Sequence, residues 1–322
     1  MIESVKIENF RCFSELEVHG LKPINIIVGE NASGKTVFLE SLYLAMSGMP
    51  ADAFQLREWR QLTLPAQRDS IEIWDDLFHQ YDSSRPITIS LQGSQTLQIR
   101  RGPGGIEFHW KPGNEEIVST LENQQEHSWL AAAYHTASQV ESLGPHSLNN
   151  PQWLAARFSS LDKEGETRPV LSALQSEFPF LKDLSLALDG GNPAVFASLE
   201  GSKRKLPAAL VSDGFNKLLG ILLSIASASK GTLLIDQIED GFYFKKLPSI
   251  WKIIHQFALE KGTQIFATTH SQECLSALLP VLEAHEDDFA LLRASRSEGV
   301  SKLTVIDGKG FSSMLSQEFE VR

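Results

Sequence analysis

A chain of 322 residues is long enough to bury one large core or two smaller ones, and 42% hydrophobic with 21% charged residues excludes a disordered or fibrous protein. The formal charge of −11 excludes a generally basic nucleic-acid coat, leaving only concentrated spots at Arg100-Arg101 and Lys203-Arg204-Lys205, which read as solvated turns or strand ends. Cys12 and Cys274 stand far apart without a second ligand at metal spacing, which excludes a disulfide framework and reads as two reduced thiols.

The N-terminus lacks a basic segment followed by an apolar stretch, and the longest apolar run, around Leu218 to Ala228, is too short and interrupted for a bilayer. A cytoplasmic protein without membrane contact is expected. The first elements alternate like strands, over Val5 to Phe10 and Leu16 to Val18, followed by the buried run Ile24 to Val28. Directly after that run comes Gly29-Glu30-Asn31-Ala32-Ser33-Gly34-Lys35-Thr36, a phosphate-binding P-loop. Its four fixed positions match by chance in a chain this long only about once in a hundred. Gly29 and Gly34 let the backbone approach phosphates, so that successive N–H groups along Asn31, Ala32 and Ser33 point at the anion. Lys35 brings a charge to the terminal phosphates, Thr36 offers a hydroxyl to magnesium, and the following helix turns its positive end to the same place.

That helix runs through Leu39, Leu42, Tyr43 and Met46 and stops near Gly48 and Pro50. Residues 52–80 show no assignable pattern. Strand alternation returns at Ile87 to Leu91, Thr96 to Ile99 and Ile106 to Trp110, separated by glycine turns. Residues 114–182 carry helical spacing, at Trp129, Ala133 and Val140 and again at Leu171, Leu174 and Phe178, which predicts an all-helical insertion. Strands at Leu184 to Leu188 and Ala194 to Leu199 lead to Ser212-Asp213-Gly214 and a long apolar helix. The last third alternates strands at Thr232 to Ile235, Gln264 to Ala267 and Phe289 to Leu292 with helices at Leu247 to Leu259 and Gln272 to Leu279, the pattern of a parallel sheet.

Two of these strands deliver polar groups at their carboxyl ends. Leu233-Leu234-Ile235 ends in Asp236, a second position for holding magnesium, and Ile265 to Thr269 delivers His270 where ligands of open α/β sheets bind. Together these residues resemble the ABC-type ATPase heads of RecF, SMC and OLD-family proteins, AAA-family ATPases of antiphage and DNA-repair kind. Ile7 to Phe13 is similar to that family's first strand pair, and Ser212-Asp213-Gly214 to its signature motif. Asp236 to Gly241 and Thr268 to Ser271 match its Walker B and histidine-switch regions.

The resemblance implies an α/β fold, a P-loop NTPase of ABC-ATPase type with an antiparallel β lobe, a parallel-sheet lobe and a helical insertion. The expected divisions are 1–112, 113–182 and 183–322. It implies ATP and Mg2+ as cofactors, Arg11 near the nucleotide, and no Q-loop glutamine fixed among Gln55, Gln61 and Gln67. A signature helix start suited to a γ-phosphate must serve a second head, so ATP is expected between two protomers of a head-to-tail homodimer, itself able to assemble further. Hydrolysis would open that dimer, making the head a switch. OLD-type chains carry a nuclease after the head, whereas the strand Lys302 to Ile306 here nearly reaches Arg322; a separate effector protein, such as a nuclease in antiphage defence, is therefore expected. The alternative is a RecF-like dimer that clamps DNA in a basic groove.

One position departs from the family. Gln237 stands where a glutamate normally follows the Walker B aspartate, and an amide cannot accept a proton from the attacking water. Slow turnover is expected, with His270 contacting the γ-phosphate. Two alternatives stay open: Glu239 serves as the base, or Gln237 is a change introduced to trap the ATP state.

Overall fold

The computed structural model describes residues 1–60, 62, 71–92, 95–102, 105–122, 140–144, 151–297 and 299–317. Its centre is the strand β3 (Ile24–Gly29), every residue of which is buried. Parallel neighbours flank it: β14 (Phe289–Ser297) on one side, β13 (Gln264–Thr268) and then β12 (Thr232–Ile235) on the other. The edges are β15 (Val300–Asp307), antiparallel to β14, and β8 (Val140–Leu143), parallel to β12. Strands buried on both faces read as continuous apolar runs, and the side chains here divide between two cores as their alternation requires. Ile24, Ile26, Leu233, Ile265 and Leu291 enter one core, and Ile27, Leu234, Phe266 and Leu292 enter the other.

The second core is closed by an antiparallel sheet in the order β2 (Phe13–His19), β1 (Ser4–Phe10), β4 (Ile87–Leu91), β5 (Gln95–Gly102), β6 (Gly105–Pro112), β7 (Ile117–Glu122). Helix α1 (Lys35–Ser47) lies between the two sheets and places Phe38, Leu39 and Leu42 in that core. The first core is covered by α3 (Pro151–Glu164), α4 (Thr167–Glu177), α5 (Asp213–Ser227), α6 (Leu247–Lys261) and α7 (Gln272–Ala284), with α8 (Gly308–Ser316) at its end. A small antiparallel sheet of β9 (Leu181–Asp189), β10 (Asn192–Leu199) and β11 (Leu206–Pro207) packs on α3. Among the described residues, no helix is long and apolar enough to cross a membrane.

The antiparallel and parallel sheets stand where the sequence predicts them, and so do the helices at 247–261 and 272–284. The all-helical reading of 114–182 is corrected. Val140 begins the strand β8, and β7 extends the antiparallel sheet, so helices occupy only 151–177 of the described part; Trp129 and Ala133 lie outside the described residues. A four-residue strand is too short to show a period, and its pairing is decided by the sheet edge it meets. The unassigned stretch contains α2 (Ala51–Trp59) and two short 3-10 segments at 71–77 and 79–81; Gln55 lies on α2, whereas Gln61 and Gln67 lie outside the described residues.

Because β3, β12 and β13 run parallel, their carboxyl ends share one edge. The segments that follow them carry Lys35, Asp236 and His270, so this topology gathers the three motifs.

Candidate functional site

The loop between β3 and α1 needs its two outer glycines. Gly29 has φ 140°, and a Cβ there would stand 2.0 Å from the Ala294 carbonyl oxygen; Gly34 has φ 107°, and a Cβ would meet the Phe13 ring at 2.9 Å. Between them Glu30, Asn31 and Ala32 are exposed, with Ala32 left-handed at φ 61°, while Ser33, Gly34 and Lys35 are buried. Lys35 opens α1 and is only 6% exposed, with its ammonium donating to the carbonyls of Gly29 at 2.7 Å and Glu30 at 2.8 Å. Burial lowers its pKa, against the carboxylates of Asp236 and Glu239. The Ser33 hydroxyl is buried and has no hydrogen-bond partner among the described residues.

Asp236 follows β12 and is fixed by three contacts. Its N–H donates to the Leu143 carbonyl of β8 at 2.9 Å, Thr36 Oγ1 donates to Oδ2 at 3.0 Å, and Thr268 Oγ1 donates to Oδ1 at 2.5 Å. The same Thr268 oxygen accepts the Gln237 N–H at 2.8 Å. Gln237 is left-handed, φ 55°, and its carbonyl accepts from Lys217 Nζ at 3.2 Å, so its backbone is clamped at both ends. Glu239 Oε1 accepts the His270 N–H at 2.8 Å, while its other oxygen is buried and has no hydrogen-bond partner among the described residues. Lys217 is 5% exposed on α5; burial lowers its pKa against the pull of Asp240, Glu239 and Asp236. Burial raises the pKa of Asp240, and repulsion from Glu239 and Asp236 adds to it, against the pull of Lys217.

A cavity of about 50 Å³ beside this group touches Thr36, Asp236, Trp59 and the end of β8 at Ser142 to Gly144. The Thr36 hydroxyl and the Asp236 carboxylate are hard oxygen donors facing each other, a pair suited to magnesium. Exposed loop backbone, a buried ammonium and the α1 N-terminus suit phosphates. The residues present therefore fit a magnesium nucleotide.

Arg11 is left-handed, φ 47°, at the turn after β1. Its guanidinium is committed to Glu40, with Nη1 at 2.5 Å from Oε2, and Arg60 reaches the same carboxylate from α2's end with Nε at 2.7 Å from Oε1. Burial lowers the Arg11 pKa, and Glu40 opposes it. Burial works against Arg60 as well, but the Glu40 carboxylate, with Asp236 beyond it, outweighs it and holds that pKa up. Glu40 is fully buried one turn beyond Thr36, so this triad ties the loop between β1 and β2 to the helix of the P-loop. Glu40→Ala is expected to cost about 3 kcal/mol, since it leaves Arg11 charged and unpaired while Arg60 is more than a third exposed. A urea midpoint unchanged from the parent would contradict this.

Ser212, Asp213 and Gly214 lie apart from that group. Ser212 caps α5 by accepting the Phe215 N–H at 3.1 Å and is exposed, as is Asp213, and a Cβ on Gly214 would stand 3.2 Å from the Gly241 carbonyl. Of the three, Asp213 lines a separate cleft of about 410 Å³, whose walls also include Asn216, Lys217, Asp240 and Gly241 but no P-loop residue. Lys217 joins the two places. No motif in the sequence gives a role to Lys217, Glu40 or Arg60, and Thr268 stands out only as the first residue of the histidine-switch stretch. A lone lysine inside the apolar stretch Phe215 to Ile225 was the available signal for the first.

Comparison with known proteins places the chain among ATPases. Residues 108–276, just over half the chain, match the model described as "AAA domain, putative AbiEii toxin, Type IV TA system", and residues 1–139 match "AAA ATPase domain". An ATP/GTP phosphatase of Helicobacter pylori is 23% identical over 347 residues, covering 90% of both chains. The DNA replication and repair protein RecF of Nitrosococcus oceani is 44% identical over 134 residues, which span 42% of this chain and 33% of that one. An SMC head bound to the C-winged helix domain of ScpA shares the fold at a TM-score of 0.59 and 14% identity, over 95% of this chain and 98% of that one. An SMC head bound to the C-terminal domain of ScpA derived from Pyrococcus furiosus does so at 0.56 and 12%, over 98% and 99%. The chain belongs to the AAA-domain ATPase family and is an ABC-type ATPase head, similar to RecF in part of its sequence and sharing the fold of SMC heads.

Proposed function

We propose that this ATPase is a head-to-tail dimeric switch that closes on ATP and magnesium and acts on a separate effector protein. The observation that carries the reading is the meeting of Lys35, Thr36 and Asp236 at one sheet edge while Asp213, between Ser212 and Gly214 at the start of α5, lines another cleft. In this reading Gly29 and Gly34 shape the loop, and the N–H groups of Asn31, Ala32, Ser33, Gly34 and Lys35 hold phosphate oxygens. The Lys35 ammonium leaves two carbonyls for the terminal phosphates, and Thr36 and Asp236 supply metal ligands. Magnesium, when bound, neutralises charge on the β- and γ-phosphates. The exposed Ser212 to Gly214 segment takes the γ-phosphate of the partner protomer's nucleotide, so each nucleotide cross-links two heads. Arg11 acts at one remove, holding Glu40 and with it the start of α1.

Gln237 and His270 position the attacking water without a base at 237, and Glu239, one of whose carboxylate oxygens has no hydrogen-bond partner among the described residues, makes up for it only in part. Turnover is therefore slow, which suits a switch. The description of the matching family supports a defence role, and the ScpA complexes of the SMC heads support docking of a separate protein on such a head. A second reading, DNA clamping, is supported by the RecF similarity, while the charge of −11 counts against it. DNA binding that weakens steeply with salt would favour this second reading.

Light scattering tests the dimer. ATP with magnesium is expected to double the mass of the parent and to leave Ser212→Arg monomeric, because a bulky cation at the α5 start obstructs the partner's phosphate. Loss of the cap costs only about 1 kcal/mol, so the variant still folds. A dimer formed without nucleotide, or despite the substitution, would exclude the shared site.

A further inference from the structure

We propose a transition-metal site of the zinc class formed by His255, His285 and Asp288, distinct from the nucleotide site. His255 lies on α6, His285 caps the end of α7, and Asp288 ends the short 3-10 segment 286–288 before β14. One ligand atom from each, the two imidazole nitrogens and a carboxylate oxygen, lie within 4.8 Å of one another. Asp288 Oδ2 is common to both pairs, at 2.9 Å from His255 Nε2 and 4.0 Å from His285 Nδ1. Ligands of a tetrahedral zinc ion stand about 3.3 Å apart, given metal–ligand bonds of about 2.0–2.2 Å, so the His255–Asp288 pair opens by tenths of an ångström, the His285–Asp288 pair closes by less than one, and the two imidazole nitrogens, within 4.8 Å of each other, close by at most about 1.5 Å.

The frame is already held. His255 is 2% exposed, and its ring stacks on the buried Phe289 at 5.4 Å. The His285 N–H donates to the Leu282 carbonyl and the Asp288 N–H to the His285 carbonyl. Gly308 of α8 packs so closely on Glu286 that a Cβ would stand 1.9 Å from its carbonyl oxygen. Charge also favours a cation: Glu286, Asp287 and Asp288 are consecutive, and among the described residues no lysine or arginine pairs with Asp288, whose ion-pair contacts are the two imidazoles. His285 is half-exposed, which leaves a fourth position open to water.

Two imidazoles and one carboxylate select zinc, cobalt, nickel or copper over magnesium. Phe289 pairs with Ile24 at the start of β3 and Ala294 with Gly29 at its end, so the cluster lies at the sheet edge opposite the P-loop, about 17 Å of strand away. The ion would clip α6, which follows the Walker B loop, to the connection between α7 and β14. It stabilises the head and takes no part in hydrolysis.

Equilibrium dialysis of the untagged chain against Zn2+ in excess Mg2+ is the test, with Co2+ absorption as the report on ligand geometry. One equivalent of Zn2+ is expected to bind and to raise the melting temperature. His285→Ala, at an exposed position, and Asp288→Asn, which keeps the shape of the carboxylate, are each expected to weaken binding by at least about 100-fold, the upper end of what even an outer-shell partner costs. Both variants should keep the apo melting temperature within a few degrees and the parent ATPase rate. Absence of saturable Zn2+ binding, or binding that both variants retain, would overturn the site.

Discussion

Lys35→Ala is expected to weaken ATP binding by at least about 100-fold while leaving the head folded. The ammonium is nearly buried at the mouth of the loop and hydrogen-bonds only backbone carbonyls, those of Gly29 and Glu30, among the described residues, while the Asp236 and Glu239 carboxylates act on its charge without outweighing burial. Charge-assisted hydrogen bonds of this kind contribute about 1.5–3 kcal/mol each, and two such contacts to phosphate oxygens account for the loss. The cost to stability is about 1 kcal/mol, because Glu30 is exposed and water can replace the lost donor. Alanine also favours the first turn of α1 as well as lysine does. Calorimetric titration of ATP with a parallel thermal melt checks both halves. Equal affinity in parent and variant would remove the P-loop from the binding site, whatever the fold.

Elements that are long and periodic, or that carry a glycine-punctuated motif, were readable in the sequence. β3 reads as a buried strand because both its faces are covered, and the P-loop after it because Gly29 and Gly34 answer close contacts with Ala294 and Phe13. The strands at 232–235 and 264–268 and their terminal polar residues follow the same logic. What stayed hidden depends on contacts distant in sequence. β8 is a strand because β12 offers it an edge, and from the sequence Val140 is equally a helical residue. Thr268 shows its use only when Asp236 and Gln237 approach from another strand, since one hydroxyl then serves as donor and acceptor at once. Arg11 was expected near the nucleotide, and its partner Glu40 carries no local mark of burial beyond its place among Leu39, Ser41 and Leu42. Lys217 joins α5 to the Gln237 carbonyl, and no spacing rule connects those positions.

Gln237→Glu is expected to raise the hydrolysis rate at saturating ATP by about ten-fold or more. General bases contribute about 10²–10⁴-fold, and a partial contribution from Glu239 in the parent reduces the gain. The backbone at 237 is held by Thr268 and Lys217 in a left-handed conformation that the change does not touch, so only an amide is exchanged for a carboxylate. The new charge joins Asp236, Glu239 and Asp240, and their repulsion makes it a stronger base, while the buried Lys217 limits the cost of adding it. His270→Ala in the Gln237→Glu background should then lower the rate again, because the His270 backbone is fixed to Glu239 at the carboxyl end of β13 and its ring is expected to reach the γ-phosphate. Single-turnover kinetics on the parent and both variants separate chemistry from product release. Fast hydrolysis by the parent that Glu239→Gln abolishes, with no gain from Gln237→Glu, would make Glu239 the base and leave Gln237 only the task of orienting water.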